Sequence, residues 1–527
     1  MESLTWFGSY SATFSLPISA SLAGLVVLFL TSGLIGFASG NGQVALLRTG
    51  FVTMTFLFVS FFILIYLFLS GGADVNYNAV IRGLLMFAAV LVAFGLFAAL
   101  TSWILRASVE DAPGLLRRLR GWLWWILAAL VMAWLLLTLL RTTPADRGIV
   151  ASILGQLLPV WIALVVTFAV SIRFKRRLGL YGKLYDSPVA MIGFGIVLFW
   201  VFTALFANLI ITYDPIAQLG SVKNPLPGSV IGETAEGAFP WYLLGGDHLA
   251  RDVFSRVVMG AQRVLQIAPA ATMFAFMVGI TLGLPAGYFG GKYDTGLSFI
   301  ANLVLAFPVI LLFYLLVTPE IRDTGIPIIL AAVLFIFPII FLTILFNSRF
   351  FTNPPRRNIY VGLTLVIGLW AYSGLAFNAD PTGIWHMEPN LLNVFVSVVF
   401  VNSPGVFRIV RGIVMDIKSR DYVAAGQTRG EGPWYIMLWE ILPNARGPLI
   451  VDFCLRIGYT TILLGTLGFF GLGVSPESPD WGSTIDDGRR LLMIFPHPAV
   501  VPALALMSLV LGLNLLADGL REESLKD

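Results

Sequence analysis

RGIVMDIKSRDYVAAGQTRGEGPWYIMLWEILPNARGPL, Arg411–Leu449, is the longest polar, helix-forming stretch in an otherwise mostly apolar chain. It contains no Gly or Pro between Met415 and Ala425, so the preceding helix is predicted to continue through it. Gly430 and Gly432 then break that helix, and Pro433 suits the first position of a second one. The second helix, WYIMLWEIL, is predicted to stop at Leu442, because Pro443 disfavours helical geometry in the residue before it. The expected product is helix, glycine corner, short helix, stop. Such a protrusion suits a groove on a soluble partner, and equally a loop lying on the membrane surface.

The flanks of this stretch fix the class. The chain has 527 residues, 58% hydrophobic and 12% charged, with a net charge of +4 and mean hydropathy +0.87. A soluble protein carries roughly twice that charged fraction. Apolar runs of about 20 residues match a hydrocarbon layer of roughly 30 Å, and without strict alternation they read as helices rather than barrel strands. The fold class is all-α, a polytopic membrane protein of about thirteen transmembrane helices. The predicted spans are 18–39, 50–70, 83–105, 121–140, 149–171, 189–211, 264–285, 297–317, 327–346, 360–377, 392–410, 449–470 and 499–519.

Basic clusters orient them. Arg106, Arg117, Arg118 and Arg120 follow the third span, and Arg173, Lys175, Arg176 and Arg177 the fifth. Both belong in the cytoplasm by the positive-inside rule, which puts the N-terminus outside and the C-terminus inside. No Lys or Arg precedes the first span, so a cleaved signal peptide is not expected. The external segment 212–263 is predicted to end in an amphipathic surface helix. Its apolar face is Leu249, Val253, Val257 and Ala261, with i,i+4 pairs Asp247–Arg251 and Asp252–Arg256 on the polar side. Gly279, Gly283 and Gly287, four apart, predict close approach of another helix backbone.

Several chemistries are excluded. No phosphate-binding loop is present: around Gly290-Gly291-Lys292, Ala286 stands at the first glycine position and Tyr293 at the Ser/Thr position. No Gly-x-Ser-x-Gly nucleophile motif occurs. His248, His386 and His497 fall in external loops, read as solvated and without carboxylates at metal spacing. Catalytic, cofactor and metal residues are therefore none. Asp452 and Arg456 read as an ion pair near the cytoplasmic interface, and Asn514 with Asp518 as a polar cap. Cys454, the single cysteine, reads as packing.

The polar stretch resembles the cytoplasmic E-A-A-x-x-x-G loop of permease subunits of binding-protein-dependent ABC importers, in the dipeptide, oligopeptide and nickel branch. The matching run is Asp421-Tyr422-Val423-Ala424-Ala425-Gly426, then Gly430, then Glu440-Ile441-Leu442-Pro443-Asn444. Further motifs follow that branch in order: Gly246-Asp247-His248-Leu249-Ala250-Arg251-Asp252 with Ser255-Arg256, Ala286-Gly287-Tyr288-Phe289-Gly290-Gly291, Ala306-Phe307-Pro308, Gly471-Leu472-Gly473-Val474 with Trp481-Gly482, and Asn514-Leu515-Leu516. The resemblance covers about 173–527.

It implies a six-helix permease core at 173–527, with a helix pair inserted at about 320–380, behind an additional five-helix module at 1–172. It also implies that 411–449 couples to an ATPase through Tyr422, Ala424, Ala425, Gly426, Gly430, Pro433, Trp434, Tyr435, Ile436, Leu438, Ile441, Leu442, Pro443 and Asn444. Asp247, Arg251, Asp252, Arg256 and Trp481 would lie at the external mouth. The implied partners are a second permease, two ATPase subunits that bind ATP and Mg, an extracytoplasmic solute-binding protein and the bilayer; nucleic acid is not expected. The implied setting is a bacterial inner membrane and the implied cargo a di- or oligopeptide. Ala424 replaces the family's usual Glu and Glu440 its usual His, so Trp434, Tyr435, Ile436 and Leu438 are expected to carry docking more than ion pairs do. The alternative is a secondary transporter or channel, which needs an ion-binding pair in mid-membrane.

Overall fold

The computed structural model describes residues 3, 4, 6, 144–177, 179–185, 187–231, 239–472 and 478–524. The expected spans 18–39, 50–70, 83–105 and 121–140 lie outside the described residues, as do Gly473 and Val474. The chain falls into two compact units, Leu4–Gly155 and Gln156–Asp527, the latter taking in Met1–Ser3. In the first unit the Val150 N–H donates to the Trp6 carbonyl at 3.2 Å.

Among the described residues the structure is helical, with only two isolated bridges, Val230 to Trp241 and Gly246 to Asp252. Among the described residues six helices are long and apolar enough to cross a membrane, or up to eight if each bent pair is one span. The helix Leu158–Phe174 packs on Pro188–Leu205.

The centre is the pair Val253–Phe289 and Pro389–Ile417. Its tightness follows from the three spaced glycines. A Cβ at Gly279 would lie 2.5 Å from Val406 Cγ1, one at Gly283 2.9 Å from Val410 Cβ, and one at Gly287 2.8 Å from Val414 Cβ. The two backbones therefore approach where only glycine fits. Arg446–Phe469 and His497–Ser524 complete the core with Pro188–Leu205. There Gly193 plays the same part, since its Cβ would lie 2.4 Å from Leu516 N.

Two expectations about the spans are corrected. The predicted surface helix and the span 264–285 are one continuous helix, Val253–Phe289, of 37 residues. At 1.5 Å per residue it is about 55 Å long, well beyond the thickness of a bilayer core, so it extends past the apolar layer. Val253, Val257 and Ala261 are buried against protein, while Leu249 precedes the helix and is exposed. The span 297–317 is broken: Gly291–Leu305 and Val309–Val317 meet at 81° across Ala306-Phe307-Pro308. Pro308 cannot donate a backbone hydrogen bond, and its ring bars the helix from running through.

Candidate functional site

The polar stretch folds as a hairpin on the end of the central helix pair. The preceding helix stops at Ile417 instead of continuing, and Arg420, with extended backbone (φ −77°, ψ 148°), starts a new helix, Asp421–Thr428. Asp421 in its first turn suits the positive end of the helix dipole. The corner then forms as the glycine predicts. Gly430 has φ 76°, the Glu431 N–H donates to Gly426 O at 3.3 Å, and the Gly430 N–H donates to Gln427 O at 3.0 Å. These are the two bonds of a Schellman stop.

The return arm differs from the prediction. Pro433–Tyr435 is α-helical, Ile436–Ile441 is a π turn, and Leu442–Asn444 resumes α geometry. Pro443 thus does not end the helix. The wider π turn lies directly before it, where the proline ring would crowd an ordinary turn. After Ala445 the chain enters Arg446–Phe469.

Burial divides the arm. Ile436, Met437, Leu438 and Ile441 are buried in a cluster with Phe276, Leu284, Val410 and Val423. Ile436 and Leu438 are therefore core residues, and the expectation that they dock a partner directly is corrected. The outward surface is Tyr422, Ala424, Ala425, Gly430, Pro433, Pro443 and Asn444, with Trp434, Tyr435 and Leu442 half-buried and Gly426 buried. Arg429 Nη2 donates to Glu440 Oε1 at 2.6 Å, joining the arms. The hairpin is tied to the central helices by Lys418 Nζ on Gly287 O at 2.9 Å and Arg411 Nη2 on Asp294 Oδ2 at 2.7 Å. Sequence reasoning missed Trp439. Its Nε1 donates to Ser348 Oγ at 3.1 Å, and Arg349 Cζ stands 4.6 Å from its ring centroid.

A second polar site gathers the other expected residues. Asp247 Oδ2 accepts from Arg251 Nε at 2.6 Å, and Arg251 Nη2 reaches Asp487 Oδ2 at 2.7 Å. Arg256 is fully buried, 3.9 Å from Asp247 and 3.8 Å from Asp487, with its Nε on Thr484 Oγ1 at 3.1 Å. The predicted Asp252–Arg256 pair does not form. Asp252 instead caps the long helix, accepting from Ser255 N at 3.0 Å, Ser255 Oγ at 2.6 Å and Thr212 Oγ1 at 2.8 Å. Burial pushes its carboxyl pKa up, against the pull of those hydrogen bonds.

Trp481 is also buried, its Nε1 on Val257 O at 2.9 Å, and Gly260 leaves the space for its ring. His497, read as solvated, is 2% exposed, with Nε2 3.1 Å from Gly246 O. The ligand atoms of Asp247, His248 and Asp487 lie within 4.8 Å of one another, a proximity the sequence spacing hides. Arg251 and Arg256 already neutralise both carboxylates, so the donor set does not fit a cation. Asp452 and Arg456 do pair, at 2.7 Å.

Comparison with known proteins identifies the family. The family model described as "Binding-protein-dependent transport system inner membrane component" matches residues 359–522. A glutathione transport system permease protein of Pectobacterium atrosepticum is 30% identical over 287 residues, 54% of this chain and 73% of its own. Dipeptide transport system permease proteins of Alkalihalophilus pseudofirmus and Haemophilus influenzae are each 27% identical, over 342 and 333 residues, covering 65% and 63% of this chain and 87% and 88% of their own.

Proposed function

From the premise that the chain belongs to the binding-protein-dependent inner-membrane permeases, as an ABC importer permease of the dipeptide and oligopeptide branch, we propose that it forms half of a peptide translocation pathway and is driven through the hairpin at 411–449. The observation that carries this is the hairpin's division of labour. Its inner face is continuous with the core of the central helix pair, and its outer face is small and exposed around Ala424 and Ala425. A push on the outer face therefore reaches the membrane helices without crossing a soft joint.

ATP and Mg bind on two partner ATPase subunits; this chain supplies none of that chemistry. A second permease completes the pathway, and an extracytoplasmic binding protein delivers solute to the side carrying the Asp247–Arg251–Arg256–Asp487 network. That network is internally paired and, apart from the partly exposed Asp487, buried, so it shapes the mouth more than it presents charges. The N-terminus lies outside and the C-terminus in the cytoplasm, as the basic clusters at 106–120 and 173–177 support. Relatives named for dipeptides, di/tripeptides and glutathione support a short peptide as cargo. Affinity purification of the chain from its native membrane tests this. An ATPase should co-purify, and peptide uptake should stop when that ATPase is deleted. Uptake that survives the deletion overturns the proposal.

A further inference from the structure

The hairpin is held on a second side by the helix pair that the sequence reading treats as an insertion. Along Ile336–Arg349, Phe341, Ile344, Leu345 and Ser348 recur three or four residues apart, so they share one helix face. The three apolar members pack against the same cluster that buries Ile436, Met437, Leu438 and Ile441. Ser348 ends that face and is 9% exposed. Its hydroxyl hydrogen is directed to Leu345 O at 3.0 Å, which leaves its oxygen free to accept the Trp439 N–H. The next residue, Arg349, lays its guanidinium over the Trp439 ring. Phe350 and Phe346 then stack on Tyr360, at centroid distances of 4.8 and 5.4 Å, and so clamp this helix to Pro354–Phe377. Trp439 thus has its edge and its face held by one helix, whose apolar side also rests on the cluster containing Val410 and Val414 of the central pair.

We propose that the 326–377 helix pair is a brace that moves as one body with the coupling hairpin, and that Ser348 and Arg349, acting through Trp439, are positioning residues that set the angle of the hairpin's outer face toward the ATPase. This rests on the importer reading above. Turning the hairpin without the helix would strip the Trp439 N–H of its acceptor and open an apolar seam, so the two travel together.

The test uses the complete transporter in lipid nanodiscs and reads ATP hydrolysis with and without the binding protein loaded with dialanine. In Trp439→Leu the ratio of stimulated to unstimulated hydrolysis should fall by about fivefold, the scale of coupling between linked sites, with the ATPase still bound. Ser348→Ala and Arg349→Gln should each lower the ratio, and Arg349→Lys should restore it. Because they act through one ring, Ser348→Ala added to Trp439→Leu should cause no further loss. An unchanged ratio in both Ser348→Ala and Arg349→Gln overturns the brace, and this holds even if Trp439→Leu fails to fold. Additive losses in the double variant overturn it too. If the unaltered complex holds no ATPase, the importer reading falls and the brace with it; if the unaltered complex responds and the variants match it, the brace alone falls.

Discussion

Arg429 and Glu440 close the hairpin from opposite arms, Nη2 to Oε1 at 2.6 Å. Glu440 stands where the resembled family usually has His, and the acid usually found at Ala424 is missing; the carboxylate of Glu440 is turned to its own chain. Both partners are partly exposed, with side chains 54% and 24% accessible. The pair should therefore contribute no more than about 1 kcal/mol, and less in salt. Thermal unfolding of Glu440→Ala should show a small loss that shrinks in high salt, and the swap Arg429→Glu with Glu440→Arg should recover it. A large, salt-independent loss would assign Glu440 another role.

The corner is set by backbone conformation alone. Gly430 has φ 76°, and a Cβ there meets nothing within 4 Å. Gly430→Val should thus cost about 1–2 kcal/mol through the left-handed backbone and not through a clash. Gly430→Asn, which tolerates that region, should cost less. Peptide uptake should fall in the Val variant while the complex still assembles. Equal uptake in the Val and Asn variants would remove the corner from the coupling path.

The central seam should be far less forgiving. At Gly283 a Cβ would lie 2.9 Å from Val410 Cβ and 3.0 Å from Phe407 O, so even alanine forces the helices apart. Overpacking of this kind costs about 1–3 kcal/mol. Gly412 on the neighbouring helix has open space around it. Gly283→Ala should lower the yield of folded protein in mild detergent, and Gly412→Ala should not.

In the arginine–aspartate network, Asp247 is fully buried between Arg251 and Arg256. Asp247→Asn leaves two buried guanidinium groups short of a counter-charge, a loss of about 3–5 kcal/mol. Asp486→Asn breaks only the half-exposed contact to Arg489 and should stay within about 0.5 kcal/mol. Limited proteolysis should find the first variant easily cleaved near residue 250 and the second unchanged.

What the sequence makes legible is what depends on spacing along one helix. The seam glycines at 279, 283 and 287, and the Asp452–Arg456 pair, sit one turn apart, so period alone reveals them. The Gly430 corner is legible because only one backbone geometry there favours glycine. What stays hidden depends on partners far along the chain. The pattern at 249–261 has helical spacing, but protein covers both of its sides: Trp481, from more than 200 positions away, packs at Val257 and Gly260, and Arg256 on the polar side is buried as well. Asp252 shows the same competition. Its i,i+4 arginine was available, yet the four unpaired N–H groups of a helix start captured it first. Ile436 and Leu438 look like exposed knobs until Phe341 and Ile344 are known to stand beside the helix pair they face. Trp439 gives no spacing signal at all, because its partners lie 91 and 90 positions upstream.

The most direct measurement is site-specific capture at Ala424, which is exposed on the hairpin's outer face. Cys454 is the chain's single cysteine, so Ala424→Cys in a Cys454→Ala background carries one thiol, to which a photoactivatable maleimide can be attached in the assembled transporter. Illumination should join the chain to its ATPase subunit. The same probe at His386→Cys, on the exposed loop beyond the other end of the membrane helices, should not. An ATPase adduct at 386, or none at 424 in a complex that still imports peptide, would contradict the placement of the coupling hairpin and the function drawn from it.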